Sequence, residues 1–273
     1  KKETGSSFFR KKKTEKIYED LKYSKEKLGI EYNFFWADTF LAWNARELDE
    51  FCEMYKSIGL PFWIQTRPET VTEEKLKKLQ KVGLNRMAFG IEHGNEDFRL
   101  KMLDRRWKNK DIIEKLKIPK KYDIPFSANN ITGFPTETKK LAFDTIELNR
   151  HIDADDRNAY PFTPFTGTPL RKLTNELGFT NEDDIVKSMV ANGSVLDMPQ
   201  FPRVEVNKLC KTFNFYVKFP KSKWKHIKKA EENTSEGKKI YDDLKNEFIE
   251  KFWNKEVSFE QSASENDPHS SIL

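Results

Sequence analysis

Residues 86–94, RMAFGIEHG, and residues 124–138, IPFSANNITGFPTET, decide how the rest of the chain is read. In each, an apolar run stops abruptly in residues that a strand has no need of: Glu92–His93–Gly94 in one, Thr132–Gly133–Phe134–Pro135 in the other. The same grammar recurs at 32–36, ending in Asp38 and Thr39, at 62–65, ending in Thr66 and Arg67, and at 158–162, ending in Thr163 and Pro164. Between these runs lie stretches of helical period, expected at 14–28, 44–58, 72–82, 109–122 and 138–151. Strands that alternate with helices pair in parallel through crossover connections. Parallel α/β folds collect ligand chemistry at the carboxyl ends of their strands. The chain therefore predicts an α/β fold, a barrel-type scaffold with polar groups converging on one rim.

Local signals fix the helix ends. Gly29 and Gly59 close helices, Asn44 and Thr72 are cap residues, and Gly83 reads as the residue after the 72–82 helix. Ile17, Leu21, Tyr23 and Leu28 share one side of the first helix. Beyond Thr163–Pro169 the strand signal disappears. The reading divides the chain into a partial barrel over 1–167, a helical region over 168–255 and a disordered tail over 256–273.

With 273 residues there is enough chain for a sizeable core. Charged residues make up 34% and mean hydropathy is −0.80, yet the apolar residues cluster, which disorder would not produce. Net charge is only +5, and the densest basic run, Arg10–Lys13, reads as a solvated helix start, so nucleic acid is not an expected partner. No stretch approaches the roughly 20 apolar residues of a membrane span. The two cysteines, Cys52 and Cys210, have no metal-ligand spacing, and low cysteine use fits a cytoplasmic protein. Cys52 shares a helical face with Leu48, Phe51 and Tyr55 and reads as a core thiol.

Among the tips, Asp38 and Glu92 are carboxylates at strand ends, which are costly there unless paired. Gly94 lets backbone or ligand approach closely. Asn129 and Asn130 are unusual in a strand, and one of them should face into the barrel. His93 has no partner at ligand spacing and is expected at the surface or in support of a site. There is no nucleophile–base pair and no phosphate loop.

In order, FFWADTF (34–40), GIEHGNEDFRLKMLDR (90–105), ITGFPTET (131–138) and PFTPFTGTPL (161–170) resemble the strand-end motifs of the radical S-adenosylmethionine superfamily. They are most similar to members with an amino-terminal cobalamin-binding domain. FFRKKKTEKIYEDLKYSKEKLGI (8–30) resembles the stretch after that group's cluster loop, and TFNFYVKFPKSKWKHIKKAE (212–231) resembles a carboxyl-terminal extension. The resemblance implies a partial TIM-like barrel of about five strands. It also implies reductive cleavage of S-adenosylmethionine to a 5′-deoxyadenosyl radical by a four-iron four-sulfur cluster, with cobalamin and methyl transfer in this group, and an electron donor such as flavodoxin or ferredoxin.

Carried over residue by residue, Asp38 and Thr39 would hold the methionine amino group, and Glu92 the ribose hydroxyls or the amino-acid end. Asn129 or Asn130 would meet the ribose, and the Gly133 turn with the Tyr160–Phe162 backbone would flank adenine. Ala37, His93 and Thr136 depart from the family pattern, standing where it has Asp, a small residue and Gly. The C-x-x-x-C-x-x-C loop is not in this sequence and is expected just upstream of Lys1, so the chain resembles the carboxyl-terminal two-thirds of an enzyme and no metal ligand is assigned within it. A non-catalytic barrel or degenerate paralogue, binding similar ligands without a cluster, is the alternative, and the sequence upstream of Lys1 would separate the two.

Overall fold

The structure, a computed structural model, describes residues 12–186 and 193–253. Five parallel strands form one sheet in chain order, with helices in the connections, the α/β partial barrel that the alternation predicts. They are β1 (Asn33–Phe35), β2 (Phe62–Thr66), β3 (Leu84–Glu92), β4 (Phe126–Thr132) and β5 (Asp156–Pro161). The described residues fall into two compact units. One comprises residues up to 89 with 114–126, and the other comprises 90–113 and everything from 127 onward.

The first unit shows why the local signals work. Helix α1 (Thr14–Leu28) ends on Gly29 at φ 67°, and α2 (Ala45–Ile58) ends on Gly59 at φ 63°, the left-handed conformation that glycine adopts without cost. Asn44 and Glu47 form a reciprocal capping box at the start of α2, and Thr72 accepts from the Lys75 amide at the start of α3 (Glu73–Gln80). Leu48, Phe51, Cys52 and Tyr55 are buried on one side of α2, as expected. Phe51, Tyr55 and Phe62 form a cluster of ring contacts. The face expected on α1 is not buried: Tyr23 and Leu28 stay exposed. Gly83 stands two residues past the C-cap Lys81, and a side chain there would meet the Leu60 carbonyl.

The second unit begins at Gly90 inside β3. It holds α4 (Glu96–Leu103), the start of α5 (Asn109–Lys121), most of β4, α6 (Lys139–Arg150), β5 and α7 (Pro169–Glu176). Then come α8 (Arg203–Lys218), α9 (Trp224–Ala230) and α10 (Ser235–Phe248). The helices expected beyond 168 are present, and they share one core with the later strands: Val206, Leu209, Phe213 and Tyr216 pack with Phe134, Ile146 and Phe162. The division into units falls within β3, α5 and β4. A charged network ties α6, α8 and α9 together. Lys139 Nζ lies 2.6 Å from Glu205, Lys228 lies 2.7 Å from Glu231, and the buried Glu231 also accepts from Tyr216 Oη at 2.8 Å. The lysines around Glu205, Lys139 foremost, hold its carboxyl down at about 2. The expected tail over 256–273 lies outside the described residues, as do Arg10 and Lys11. Among the described residues, no helix is long and apolar enough to cross a membrane.

Candidate functional site

A strand alternates its side chains between two faces, and burial shows which face meets the helices. In β4, Phe126, Ala128, Asn130 and Thr132 are buried, while Ser127, Asn129 and Ile131 are only partly so. Asn130 resolves the pair of asparagines. It is 1% exposed and its amide nitrogen is shared among Ala128 O, Asn149 Oδ1 and Asn158 O. Its oxygen accepts from Asn149 Nδ2 of α6 at 2.7 Å. Asn130 therefore serves the helix side of the sheet. Asn129 lies on the opposite, inner face, where its Oδ1 accepts from Asn158 Nδ2 at 3.2 Å. Asn158 is its register partner and Ile131 pairs with Tyr160, so Asn129, Asn158 and Tyr160 share that face.

Glu92 ends β3, half-buried, directly after the buried Ile91. Its φ is 67°, a left-handed value that costs a non-glycine residue roughly 1–2 kcal/mol. Arg105 clamps this strand end: Nη2 lies 3.0 Å from Glu92 Oε1 and Nη1 donates to Gly90 O at 2.8 Å. The Glu92 carboxylate is folded back so far that a Cβ on Gly90 would stand 2.4 Å from Oε1. A side chain at Gly90 would displace the Glu92 carboxylate from this position. Gly94 is bare for another reason, since a Cβ there would stand 2.2 Å from the Asp144 carbonyl of α6.

His93 is fully buried, which overturns the surface half of its expectation. Its Nδ1 accepts from the Asn95 amide at 3.0 Å, so the ring proton sits on Nε2 and is donated to Glu137 Oε1 at 3.1 Å. Glu137, also fully buried, accepts with its other oxygen from the amides of Gly133 and of Phe134 (2.9 Å). Gly133 has φ 81° and a Cβ there would press on Val206. Phe162 is used structurally: its ring packs on Phe134 in the core, and its amide donates to Thr132 O at 2.8 Å.

Asp38 and Thr39 belong to the first unit, in the turn after β1. Asp38 is exposed, and Thr39 Oγ1 donates to the Asp38 carbonyl at 2.7 Å. The residues missed by the sequence reading are Arg105, Glu137 and Asn158. Glu137, four residues after a turn glycine, carried a local hint; the others carried none.

On the inner face of the second unit an amide pair and a phenol stand half-buried, and the neighbouring strand ends in a carboxylate. The donor set for an iron-sulfur cluster is another matter. Cys52 and Cys210 are both free thiols, burial pushes both upward (Cys52 to about 11), and ligand thiolates need the reverse. Among the described residues no three His, Cys, Asp or Glu side chains are grouped to hold a metal.

Comparison with known proteins agrees with the geometry. An uncharacterized methyltransferase of Pyrococcus horikoshii is 24% identical over 209 residues, covering 75% of this chain and 45% of that protein. A tRNA-2-methylthio-N(6)-dimethylallyladenosine synthase of Halalkalibacterium halodurans is 28% identical over 119 residues, 41% of this chain and 21% of that protein. The chain thus spans under half the length of these curated relatives. The radical SAM coproporphyrinogen III oxidase of Escherichia coli superposes with a TM-score of 0.51 over 75% of this chain and 46% of its own, at 14% identity, a likeness of fold. Residues 3–148 match the Radical SAM superfamily. That match covers more than half of the sequence and includes the ends of β1 to β4, so the chain belongs to the radical S-adenosylmethionine superfamily.

Proposed function

We propose that this chain supplies the S-adenosylmethionine-binding face of a radical enzyme that transfers a methyl group. The observation carrying the reading is the inner face of the second unit, where Asn129, Asn158 and Tyr160 share one side of the sheet and Glu92 ends the neighbouring strand β3. Glu92 would accept from ribose hydroxyls or the methionine ammonium, and Asn129 would bond the ribose from the inner face. The Gly133 turn, whose amide is held by Glu137, would stand beside the adenine. A reduced four-iron four-sulfur cluster, when bound, would supply the electron for reductive cleavage of S-adenosylmethionine. None of the residues described here holds that cluster, so their contribution is to bind, orient and exclude water.

Methyl transfer with cobalamin is favoured by the motif order and by the methyltransferase among the relatives. A flavodoxin- or ferredoxin-type donor in the cytoplasm would provide electrons. The test uses the full-length protein, reconstituted anaerobically with iron and sulfide. Saturable S-adenosylmethionine binding, and release of 5′-deoxyadenosine and methionine on reduction, are expected. Absence of both in a protein carrying a cluster would refute the reading.

A further inference from the structure

His93 and Glu137 are each preceded by a strained residue. Glu92 has φ 67° and Thr136 has φ 68°, left-handed values that a carboxylate side chain and still more a β-branched one rarely adopt. Such conformations persist where the surroundings over-determine them. Here the surroundings are the buried pair itself. The His93 ring is fixed on one side by the Asn95 amide and lies 4.4 Å from the Phe98 ring, while Arg99 donates to the His93 carbonyl. Its Nε2–H reaches Glu137, whose second oxygen gathers the Gly133 and Phe134 amides. One hydrogen bond of 3.1 Å thus joins the end of β3 to the turn after β4, two segments 44 residues apart in sequence.

We infer that His93 is a positioning residue for ligand binding: through Glu137 it locks the Glu92 strand end and the Gly133 turn into one preformed unit. This rests on the reading of that inner face as the S-adenosylmethionine site. Without the lock, each turn could relax toward an ordinary backbone conformation, and the ligand would have to re-form both. Preformed geometry lowers that cost of binding.

The test takes His93→Ala, His93→Gln and Glu137→Gln in the full-length protein. Three readouts are needed: hydrogen exchange at the Gly133 and Phe134 amides, S-adenosylmethionine affinity by calorimetry, and thermal melting. His93→Ala should speed exchange at both amides and weaken the ligand, each by about tenfold or more, the scale of one lost hydrogen bond to a buried charge. His93→Gln keeps an N–H donor for Glu137 and should recover most of both effects, whatever it loses in melting temperature. Glu137→Gln cannot accept from the two amides and from His93 at once, so it should behave like His93→Ala. Unchanged exchange in His93→Ala overturns the lock. Faster exchange with unchanged affinity overturns the positioning role. A wild-type protein that does not bind S-adenosylmethionine, yet shows released amides in His93→Ala, overturns the reading of the site and the role built on it while the lock itself stands.

Discussion

Glu92→Ala in the full-length protein asks whether the inner face binds ligand or merely holds itself together. The carboxylate pairs with Arg105 at 3.0 Å, with side-chain exposures of 18% and 17%. Removing it leaves Arg105 its bond to the Gly90 carbonyl. The stability cost should therefore fall between an exposed pair, under about 1 kcal/mol, and a fully buried one, roughly 3–5 kcal/mol; about 2 kcal/mol is expected. A carboxylate that also meets ligand hydroxyls or an ammonium adds roughly 1.5–3 kcal/mol to binding, about one to two decades in affinity. The backbone at 92 provides an internal control. Alanine retains the left-handed strain of φ 67°, whereas glycine does not. Glu92→Gly should thus be about 0.5–1 kcal/mol more stable than Glu92→Ala after glycine's own entropic cost, and bind equally poorly. Titration calorimetry and melting on the two variants separate the effects. Wild-type affinity in either variant, accompanied by a fall in melting temperature, would return Glu92 to a purely structural role and refute the assignment.

Thr136→Gly should stabilise the protein by about 0.5–1 kcal/mol, because an exposed threonine at φ 68° gives up strain and no hydrogen bond recorded in the structure; a lower denaturation midpoint would contradict this. Glu205 is depressed to about 2 from an ordinary 4.5, first by its bond to Lys139, so its contribution is complete above pH 4.5 and lost as pH falls toward 2. Glu205→Gln should accordingly flatten the acid limb of the stability profile by up to about 3 kcal/mol, and an unchanged acid limb in urea titrations between pH 5 and pH 2 would show that the lysine cluster does not stabilise the fold.

Much of the architecture was legible because the forces that set it act over a few residues. Asn44 reaches the amide of Glu47 and Glu47 reaches back, so that helix start could be read in one turn of sequence. Gly29 and Gly59 stop helices because only the local backbone decides what fits at positive φ. The abrupt ends of β3 and β4 marked where side chains leave the core, and their order pointed to the family. The exposed side of α1 shows the limit of periodicity, which says which residues share a face and not whether anything covers it.

The site itself was only half visible. Asn129 and Asn130 are neighbours, and alternation guarantees that one faces each side of the sheet, but the sequence does not say which side the helices take. Asn149 of α6 decides it by binding Asn130. A lone histidine after a strand read as a surface or supporting residue until the fold brought Glu137 to it, and Glu92 acquired Arg105 in the same way. Caps, turns and strand alternation are settled by neighbours in the chain, so the sequence determined the elements and their order. The pairing of buried charges depends on which segments are packed together, and only the tertiary structure, by excluding water from those contacts, decided that His93 is a buried hydrogen-bond donor to Glu137.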